Sequence, residues 1–162
     1  MLRVLFTLVM LIAALSCSSR AEAKSDAVQH NVEVLVGASD TAQYMPLMRS
    51  KRVAVLANHT AMFSPEEHIV DMMHREGVNI IGIFAPEHGF RGSVEAGVVV
   101  RNSVDERTGI PILSLYTGNS KRPSDEVMRS FDLLVVDMQD VGLRFYTYYI
   151  TMMQMMDALP AS

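Results

Sequence analysis

The segment VNIIGIFAPEHGFRG, residues 78–92, combines the two features that decide the fold. Residues 78–84 are an apolar run with the length of a strand that is buried on both faces of a sheet. Residues 84–92 (FAPEHGFRG) then form a tight turn in which Glu87 and His88 lie between a proline and a glycine. Ionisable groups just beyond a buried strand are typical of α/β proteins, in which ligands bind at the carboxyl ends of parallel strands.

Strands and helices alternate on both sides of this segment. Residues 52–58 (RVAVLAN) are a second apolar run, and Ser64-Pro65-Glu66-Glu67 predicts the start of a helix that ends at Gly77. The remaining predicted elements are strands at residues 110–116 and 131–137, a short helix from Ser124 and a helix over residues 147–159. This β-α-β order predicts an α/β fold with a mostly parallel sheet and helices on its faces.

Two regions give no clear prediction. Pro46 would interrupt a helix between residues 40 and 50, because proline removes a backbone hydrogen bond. Residues 93–109 form either a long loop or a loop with a short strand at Val98–Val100.

The composition predicts a soluble globular protein of one ordinary domain. The chain has 162 residues, of which 49% are hydrophobic and 20% charged, and its formal net charge is −4. The acidic balance, without a basic stripe, argues against binding to nucleic acid. The 13 methionines are expected to fill gaps in the core.

The N-terminus predicts export. Residues 1–23 resemble a secretory signal, with Arg3 followed by an apolar run from Val4 to Leu15. Residues 24–33 are then a polar linker, and residues 34–162 are the folded domain.

Two processing routes remain open for this signal. Ala21-Glu22-Ala23 fits the rule for ordinary cleavage, whereas Ala14-Leu15-Ser16-Cys17 resembles a bacterial lipobox, which would limit the signal to residues 1–16. Cys17 is therefore a candidate for lipidation and for attachment to the membrane. Both routes predict a protein outside the cytoplasm, in the periplasm or as an outer-membrane or cell-surface lipoprotein. With a single cysteine, the domain must be stabilised by its core rather than by disulfides.

Polar side chains follow three of the predicted strands. If these strands are parallel, the polar clusters share one edge of the sheet. The clusters are Asn58, His59 and Thr60 after the first strand, Glu87, His88 and Arg91 after the second, and Asp137, Gln139, Asp140, Arg144, Tyr146 and Tyr148 after the strand at 131–136.

Carboxylates on two turns at one edge of the sheet suit the hydrolysis of glycosides. One carboxylic acid protonates the leaving oxygen, and a second group activates water or attacks the sugar. Phe84, Pro86 and Phe90 would surround Glu87 with apolar groups, which raise the pKa of an acid. The alternative is that Glu87 only pairs with Arg91 or caps the backbone.

The other polar residues also have structural alternatives. The alternative for Asp137 and Asp140 is that they bind loop amides or hold Arg144. Tyr146 and Tyr148 form either a platform for a sugar or part of the core. His59 and His88, with the two aspartates, are of the right types for a metal site, but their spacing matches no strong template. The only cysteine lies in the signal, which excludes a thiol nucleophile, and the sequence has no G-x-S-x-G or H-E-x-x-H motif.

Several long motifs resemble those of one known family, the bacterial exo-β-N-acetylmuramidases, which are peptidoglycan-recycling glycosidases. The similarity covers about residues 32–158. The matching stretches are RVAVLANHTA, FAPEHGFRG, the run from Asp105 to Tyr116, KRPSDEVM and VVDMQDVGLRFYTY. They occur in the order that the family has.

The resemblance implies an exo-acting hydrolase that releases terminal N-acetylmuramic acid from the non-reducing end of peptidoglycan fragments, with no cofactor. It implies a Rossmann-like N-terminal domain and a smaller C-terminal domain, with the cleft between them. The glutamate of the PEHG motif is Glu87, the expected general acid/base. The further residues expected in the cleft are His88, Asp137 and Asp140 with catalytic roles, and Asn58, Arg91, Gln139, Arg144 and Tyr146 with roles in substrate binding.

The chain departs from the family in one respect. Family members are more than twice as long, so the sequence predicts an N-terminal fragment that lacks the second domain and half of the cleft. An alternative function is therefore a non-catalytic muropeptide-binding module or an inactive remnant. An exposed sheet edge would then favour aggregation.

Overall fold

The computed structural model describes residues 34–92, 102–115 and 122–160. From Leu35 onward these residues belong to one compact unit. Three predictions lie outside the described residues: the signal (1–23) with Cys17, the linker (24–33) and the possible strand at Val98–Val100. The predicted start of the domain, residue 34, is the first described residue.

A five-stranded sheet forms the centre of the fold, in the order β3-β4-β2-β1-β5. The strands are β1 (Val53–Ala57), β2 (Ile80–Ala85), β3 (Ser103–Val104), β4 (Pro111–Ser114) and β5 (Leu133–Asp137). Strand β1 pairs in parallel with both β2 and β5, and β2 pairs in parallel with β4. Only β3, on the outer side of β4, is antiparallel. The predicted α/β fold with a mostly parallel sheet is thus confirmed.

Helices cover both faces of this sheet. They are α1 (Thr41–Met48), α2 (Ile69–Arg75), α3 (Asp125–Met128) and α4 (Thr147–Ala158). Strand β1 alternates its side chains between two cores: Val53 and Val55 pack with α1 and α2, whereas Leu56 packs with α3 and α4. All five residues of β1 are buried, as expected for a central strand with both faces covered.

Methionines fill both cores, as predicted. Met48, Met72 and Met73 are buried on the first face, and Met128 and Met155 on the second. No helix in the described ranges is long and apolar enough to cross a membrane.

The predicted start of the second helix was wrong. Ser64 and Glu67 do bond to each other, with the Glu67 amide donating to the Ser64 hydroxyl at 3.1 Å, but they form a turn rather than a cap. The helix begins at Ile69, where the side chain of His68 caps it. The predicted stop is correct, because Gly77 follows the helix with a φ of 78°.

Pro46 does not interrupt α1, against the expectation from its sequence. It lies inside the helix Thr41–Met48, whose residues Met45 and Met48 pack on the core. Packing of this face outweighs the hydrogen bond that proline removes, since helices in proteins owe most of their stability to tertiary contacts. Strand β3, within the stretch that the sequence left open, pairs its Ser103 with Ile112 of β4.

Candidate active site

The three predicted polar clusters meet at one edge of the sheet. Strand β1 pairs its Leu56 with Phe84 of β2 and its Ala57 with Asp137 of β5. Because these strands run in the same direction, the loops that follow them leave the sheet side by side. We call this edge the rim: residues 58–60, 86–92 and 137–146.

The turn after β2 presents Glu87 and His88 in a strained backbone. The Gly89 amide donates a hydrogen bond to the Pro86 carbonyl at 3.0 Å, which closes the turn. His88, at the third position, has a φ of 70°, in the left-handed region that residues other than glycine seldom adopt. Glu87 and His88 are half-buried. Strain of this kind is concentrated at functional sites, where the surrounding structure enforces it.

The apolar residues that flank this turn are buried, and the two phenylalanines belong to different cores, Phe90 to the first and Phe84 to the second. Phe84 and Phe90 are almost completely buried, and Pro86 is also buried. The Phe90 ring packs edge-on against the imidazole of His68, with ring centroids 4.7 Å apart.

Arg91 is bonded to two carboxylates, Asp71 of α2 and Asp105 of the loop after β3. Its Nη1 and Nη2 lie 2.9 and 2.7 Å from the oxygens of Asp71, and its Nε and Nη2 lie 3.0 and 2.8 Å from those of Asp105. All three nitrogens of the guanidinium are therefore engaged by these two side chains. We call Asp71, Arg91 and Asp105 the Arg91 cluster.

Electrostatics in the Arg91 cluster favour the charged forms. Burial works to raise the pKa of Asp71 and of Asp105, but the hydrogen bonds and the positive charge of Arg91, together with smaller effects of other neighbours, outweigh burial and hold both pKa values below the ordinary range. Burial likewise works to lower the pKa of Arg91, and the two carboxylates raise it well above its ordinary value. Thr108 adds a hydrogen bond from its hydroxyl to Asp105 at 2.7 Å.

The loop after β1 is built around the buried side chain of Asn58. Its Oδ1 accepts hydrogen bonds from the amide and the hydroxyl of Thr60, at 3.0 and 2.7 Å. The Thr60 hydroxyl also accepts a hydrogen bond from the Gln139 amide at 2.9 Å, which ties this loop to the one after β5. The Nδ2 of Asn58 is buried and has no hydrogen-bond partner among the residues that the structure describes.

His59, in the loop after β1, lies close to Gly92, which follows the turn after β2. Gly92 has a φ of 71°, and a Cβ placed there would lie 2.8 Å from the His59 ring. The close approach of these two residues requires a glycine.

The carboxylates after β5 have different environments. Asp137 is half-buried, and burial raises its pKa, although the nearby His68 works in the opposite direction. Asp140 is exposed, and its Oδ1 accepts a hydrogen bond from the Gly142 amide at 2.6 Å. The predicted alternative that these aspartates bind loop amides is thus confirmed for Asp140. Gln139 and Arg144 are exposed.

The two tyrosines of the last motif are not equivalent. Tyr148 is buried and belongs to the core side of α4, and Tyr146 is half-buried and packs edge-on against it at 5.1 Å. The aromatic ring most open to solvent on the rim is Phe145, which is 79% exposed.

Sequence reasoning missed His68, Asp71 and Asp105. His68 was placed inside a predicted helix, although its position at the head of an apolar stripe is consistent with a capping side chain. Asp71 and Asp105 are far apart in the chain and become partners only through Arg91. Within the described ranges, no three or more His, Cys, Asp or Glu side chains are grouped in a way that could hold a metal ion.

The chain matches known proteins over most of its length. Residues 53–162 match the family described as exo-beta-N-acetylmuramidase NamZ, N-terminal. The chain is 35% identical over 142 residues to the peptidoglycan beta-N-acetylmuramidase NamZ of Bacillus subtilis (strain 168), and the alignment covers 87% of this chain and 33% of that protein.

Two crystal structures of DUF1343 family proteins from Bacteroides fragilis NCTC 9343 resemble the fold. One is 46% identical, with a TM-score of 0.63, over 76% of this chain and 31% of its own. The other is 34% identical, with a TM-score of 0.64, over 73% of this chain and 29% of its own. The chain thus spans about a third of the length of these relatives.

Proposed function

The chain belongs to the exo-β-N-acetylmuramidase NamZ family through the N-terminal part of that family, and on this premise we propose that it supplies the acid/base residues of an exo-acting glycosidase. The reaction is the release of a terminal N-acetylmuramic acid from the non-reducing end of peptidoglycan fragments, in the turnover and recycling of the cell wall. The family relationship supports a hydrolase of peptidoglycan, and the residue roles below are the proposal.

The observation that carries the proposal is the position of two carboxyl groups on the two loops of the rim that flank the loop after β1. Glu87 follows β2 on a turn whose apolar residues are buried, and Asp137 ends β5, on the other side of β1. Glycosidases need one carboxyl group that donates a proton to the leaving oxygen. A second carboxylate either activates a water molecule or attacks the sugar itself.

In the proposed reaction, Glu87 donates its proton to the glycosidic oxygen as the bond from that oxygen to the anomeric carbon breaks. A water molecule then supplies the oxygen that bonds to the anomeric carbon, and its proton returns to a carboxylate. Asp137 is the second carboxyl group, and burial raises its pKa above the ordinary value, which favours a group that takes up and releases a proton. His88 and Asp140 complete the catalytic set beside them.

The remaining rim residues are assigned to substrate binding. Amide and guanidinium groups bind the acetamido, hydroxyl and carboxylate groups of N-acetylmuramic acid, and an aromatic ring covers an apolar face of the sugar. These residues are Gln139, Arg144 and Tyr146, whereas Asn58 is fully buried and bonded to Thr60 and is therefore assigned to shaping the loop after β1. The assignment of Arg91 is considered separately below.

Glu87→Gln tests the proposal in the longest reading frame that encodes this chain. We expect the release of N-acetylmuramic acid from a muramic-acid-capped chromogenic substrate to fall about 10²–10⁴-fold, the scale of general acid catalysis. Glu66→Gln is the matched control, because Glu66 is exposed and lies in the turn before α2. Near-native turnover by Glu87→Gln, at a Tm equal to that of the control, would contradict the role of Glu87.

A second candidate function is the binding of muropeptides without turnover. The exposure of Gln139, Asp140 and Arg144 favours it, because exposed side chains on the rim are accessible to a ligand. Calorimetric titration of the 162-residue chain with N-acetylmuramic acid separates the two functions. Saturable binding without release of sugar supports the binding module, and the absence of both supports an inactive fragment.

We also propose that the protein is exported and attached to a membrane through a lipidated Cys17. The proposal is based on the signal features of residues 1–23. Cys17→Ser should abolish the incorporation of labelled palmitate, and N-terminal sequencing of the mature protein should begin at residue 17. A mature N-terminus at residue 24 would instead indicate ordinary cleavage after Ala23.

A further inference from the structure

Arg91 lies two residues beyond the turn that carries Glu87 and His88, and it joins that turn to two distant parts of the chain. Asp71 is on α2, which covers one face of the sheet, and Asp105 is in the loop between β3 and β4. Four hydrogen bonds of 2.7 to 3.0 Å connect the guanidinium with these carboxylates.

The Arg91 cluster is sheltered from solvent. The side chains of Asp105, Asp71 and Arg91 are 4%, 18% and 26% exposed. Ion pairs in such surroundings are weakly screened, and the planar guanidinium can bridge two carboxylates only in a narrow range of orientations. The cluster therefore keeps the guanidinium of Arg91 charged. It also restrains the orientation of the backbone at residue 91.

The neighbouring residues add to this restraint. The Arg91 Cζ lies 4.5 Å from the centroid of the Phe90 ring, which is itself buried against His68. Gly92 packs against His59. Three consecutive residues after the turn are thus each held by a different part of the structure: Phe90 by the core, Arg91 by the two carboxylates and Gly92 by the loop after β1.

We propose that Arg91 is a positioning residue for Glu87 and His88, which acts through Asp71 and Asp105, and not a contact for the substrate. The turn needs such a restraint, because the left-handed backbone of His88 persists only where the surrounding structure enforces it. The catalytic part of this inference rests on the proposed function of Glu87, whereas its structural part does not.

Hydrogen exchange in the 162-residue chain tests the structural part. Arg91→Lys keeps the charge but cannot bridge both carboxylates, and Asp105→Asn removes one of them. We expect exchange of the Gly89 amide, which closes the turn, to accelerate on the order of tenfold in both variants, the factor that corresponds to 1.4 kcal/mol of released strain. The amide of Val55 in the central strand should not change.

Arg75→Lys is the matched control. Arg75 also contacts two carboxylates, Glu67 and Glu76, and lies on the same helix as Asp71, but its ion pairs are exposed. Exchange at Gly89 should be unaffected by this substitution. Unchanged exchange at Gly89 in both Arg91→Lys and Asp105→Asn would overturn the proposal. Asp71→Asn, at a less buried carboxylate, replaces Asp105→Asn if that variant does not fold.

Steady-state kinetics distinguish the two possible roles of Arg91, positioning and substrate contact. They are measured on the protein encoded by the longest reading frame that contains this chain. Positioning predicts that Arg91→Lys and Asp105→Asn lower kcat by about 10²-fold with little change in KM, because small displacements of a catalytic group have effects of this size. Direct contact predicts that Arg91→Lys raises KM while Asp105→Asn stays close to the parent protein, and this result would overturn the proposal. If the parent protein releases no N-acetylmuramic acid, the proposed function fails, and the exchange experiment still decides whether Arg91 holds the turn.

Discussion

His68 and Asn58 are joined by a hydrogen bond from the imidazole Nε2 to the backbone carbonyl oxygen of Asn58, at 2.8 Å. On the other side of the ring, Nδ1 accepts a hydrogen bond from the Val70 amide at 3.2 Å, which caps α2. A neutral ring with its proton on Nε2 satisfies both bonds, whereas a doubly protonated ring has no acceptor for Val70. The link between the rim and α2 therefore depends on a neutral histidine.

His68 should make the protein sensitive to acid. Burial lowers its pKa below the ordinary value of 6.5, so the stability it contributes is fully present above pH 6.5 and is lost as the pH falls through the lower, folded-state pKa. Thermal unfolding between pH 5 and 8 should show Tm falling more steeply in the parent protein than in His68→Gln. At neutral pH, this variant should lose about 1–3 kcal/mol.

His74→Gln is the control for this measurement, because His74 is exposed on the same helix. It should retain the full pH dependence of the parent protein. An equal slope in His68→Gln would mean that His68 is not the group that titrates.

The left-handed backbone of His88 predicts an inverted ranking of alanine and glycine. Both substitutions remove the imidazole, so their difference reports on the backbone alone. At a φ of 70°, His88→Gly should be more stable than His88→Ala by about 1 kcal/mol. At Glu126 in α3, the same pair should show the opposite order, because glycine destabilises a helix. Chemical denaturation measures all four variants, and the same order at both positions would contradict the strained turn.

Gly92 and Gly77 separate the effect of backbone strain from that of close packing. Both have positive φ, but a Cβ at Gly92 would meet the His59 ring at 2.8 Å, whereas one at Gly77 would have open space around it. Gly77→Ala should therefore lose about 1 kcal/mol, from strain alone. Gly92→Ala should lose about 1–3 kcal/mol more, the cost of overpacking. Equal losses, measured by urea denaturation, would show that the two loops are not in contact.

Asp137 should destabilise the folded chain at neutral pH. Its pKa is raised by burial, so its contribution to stability is greatest below the unfolded value of 3.8 and declines as the pH rises through the higher, folded-state pKa. Asp137→Asn should thus increase the free energy of unfolding at pH 7 by on the order of 0.5 kcal/mol, and the gain should disappear at pH 3. If this residue also takes part in the reaction, the same variant loses activity while gaining stability. A gain that is independent of pH would indicate another cause.

The parallel strands were predictable from the sequence because apolar runs report burial directly. Residues 52–58, 78–84 and 131–137 were each recognised within two residues of β1, β2 and β5. The shared edge of the polar clusters then followed from parallel topology alone. Sequence cannot show how these clusters differ in burial, which is what distinguishes Asp137 from Asp140.

The wrong or missing predictions have physical causes that a local sequence pattern does not contain. The Ser64–Glu67 pattern satisfies the same hydrogen bonds in a turn as in a helix cap, so it did not locate the start of α2. The Arg91 cluster joins residues 71, 91 and 105, and no local pattern indicates such a set. Pro46 lies in a helix whose packing outweighs its local preference.

The pairing of β1 with β5 has a consequence for the order in which the protein folds. Its partners are 80 residues apart in the chain, as in the ladder from Val53 to Leu133 and in the hydrogen bonds between Arg52 and Asp132. Closing so long a loop is slow compared with forming a helix, and it must come after the synthesis of β5. Asp137 and the Thr60–Gln139 hydrogen bond therefore cannot reach their places before β5 has been synthesised and has paired with β1. A nascent or partly folded chain would carry Glu87 without these neighbours, so the rim is complete only after β5 has paired with β1.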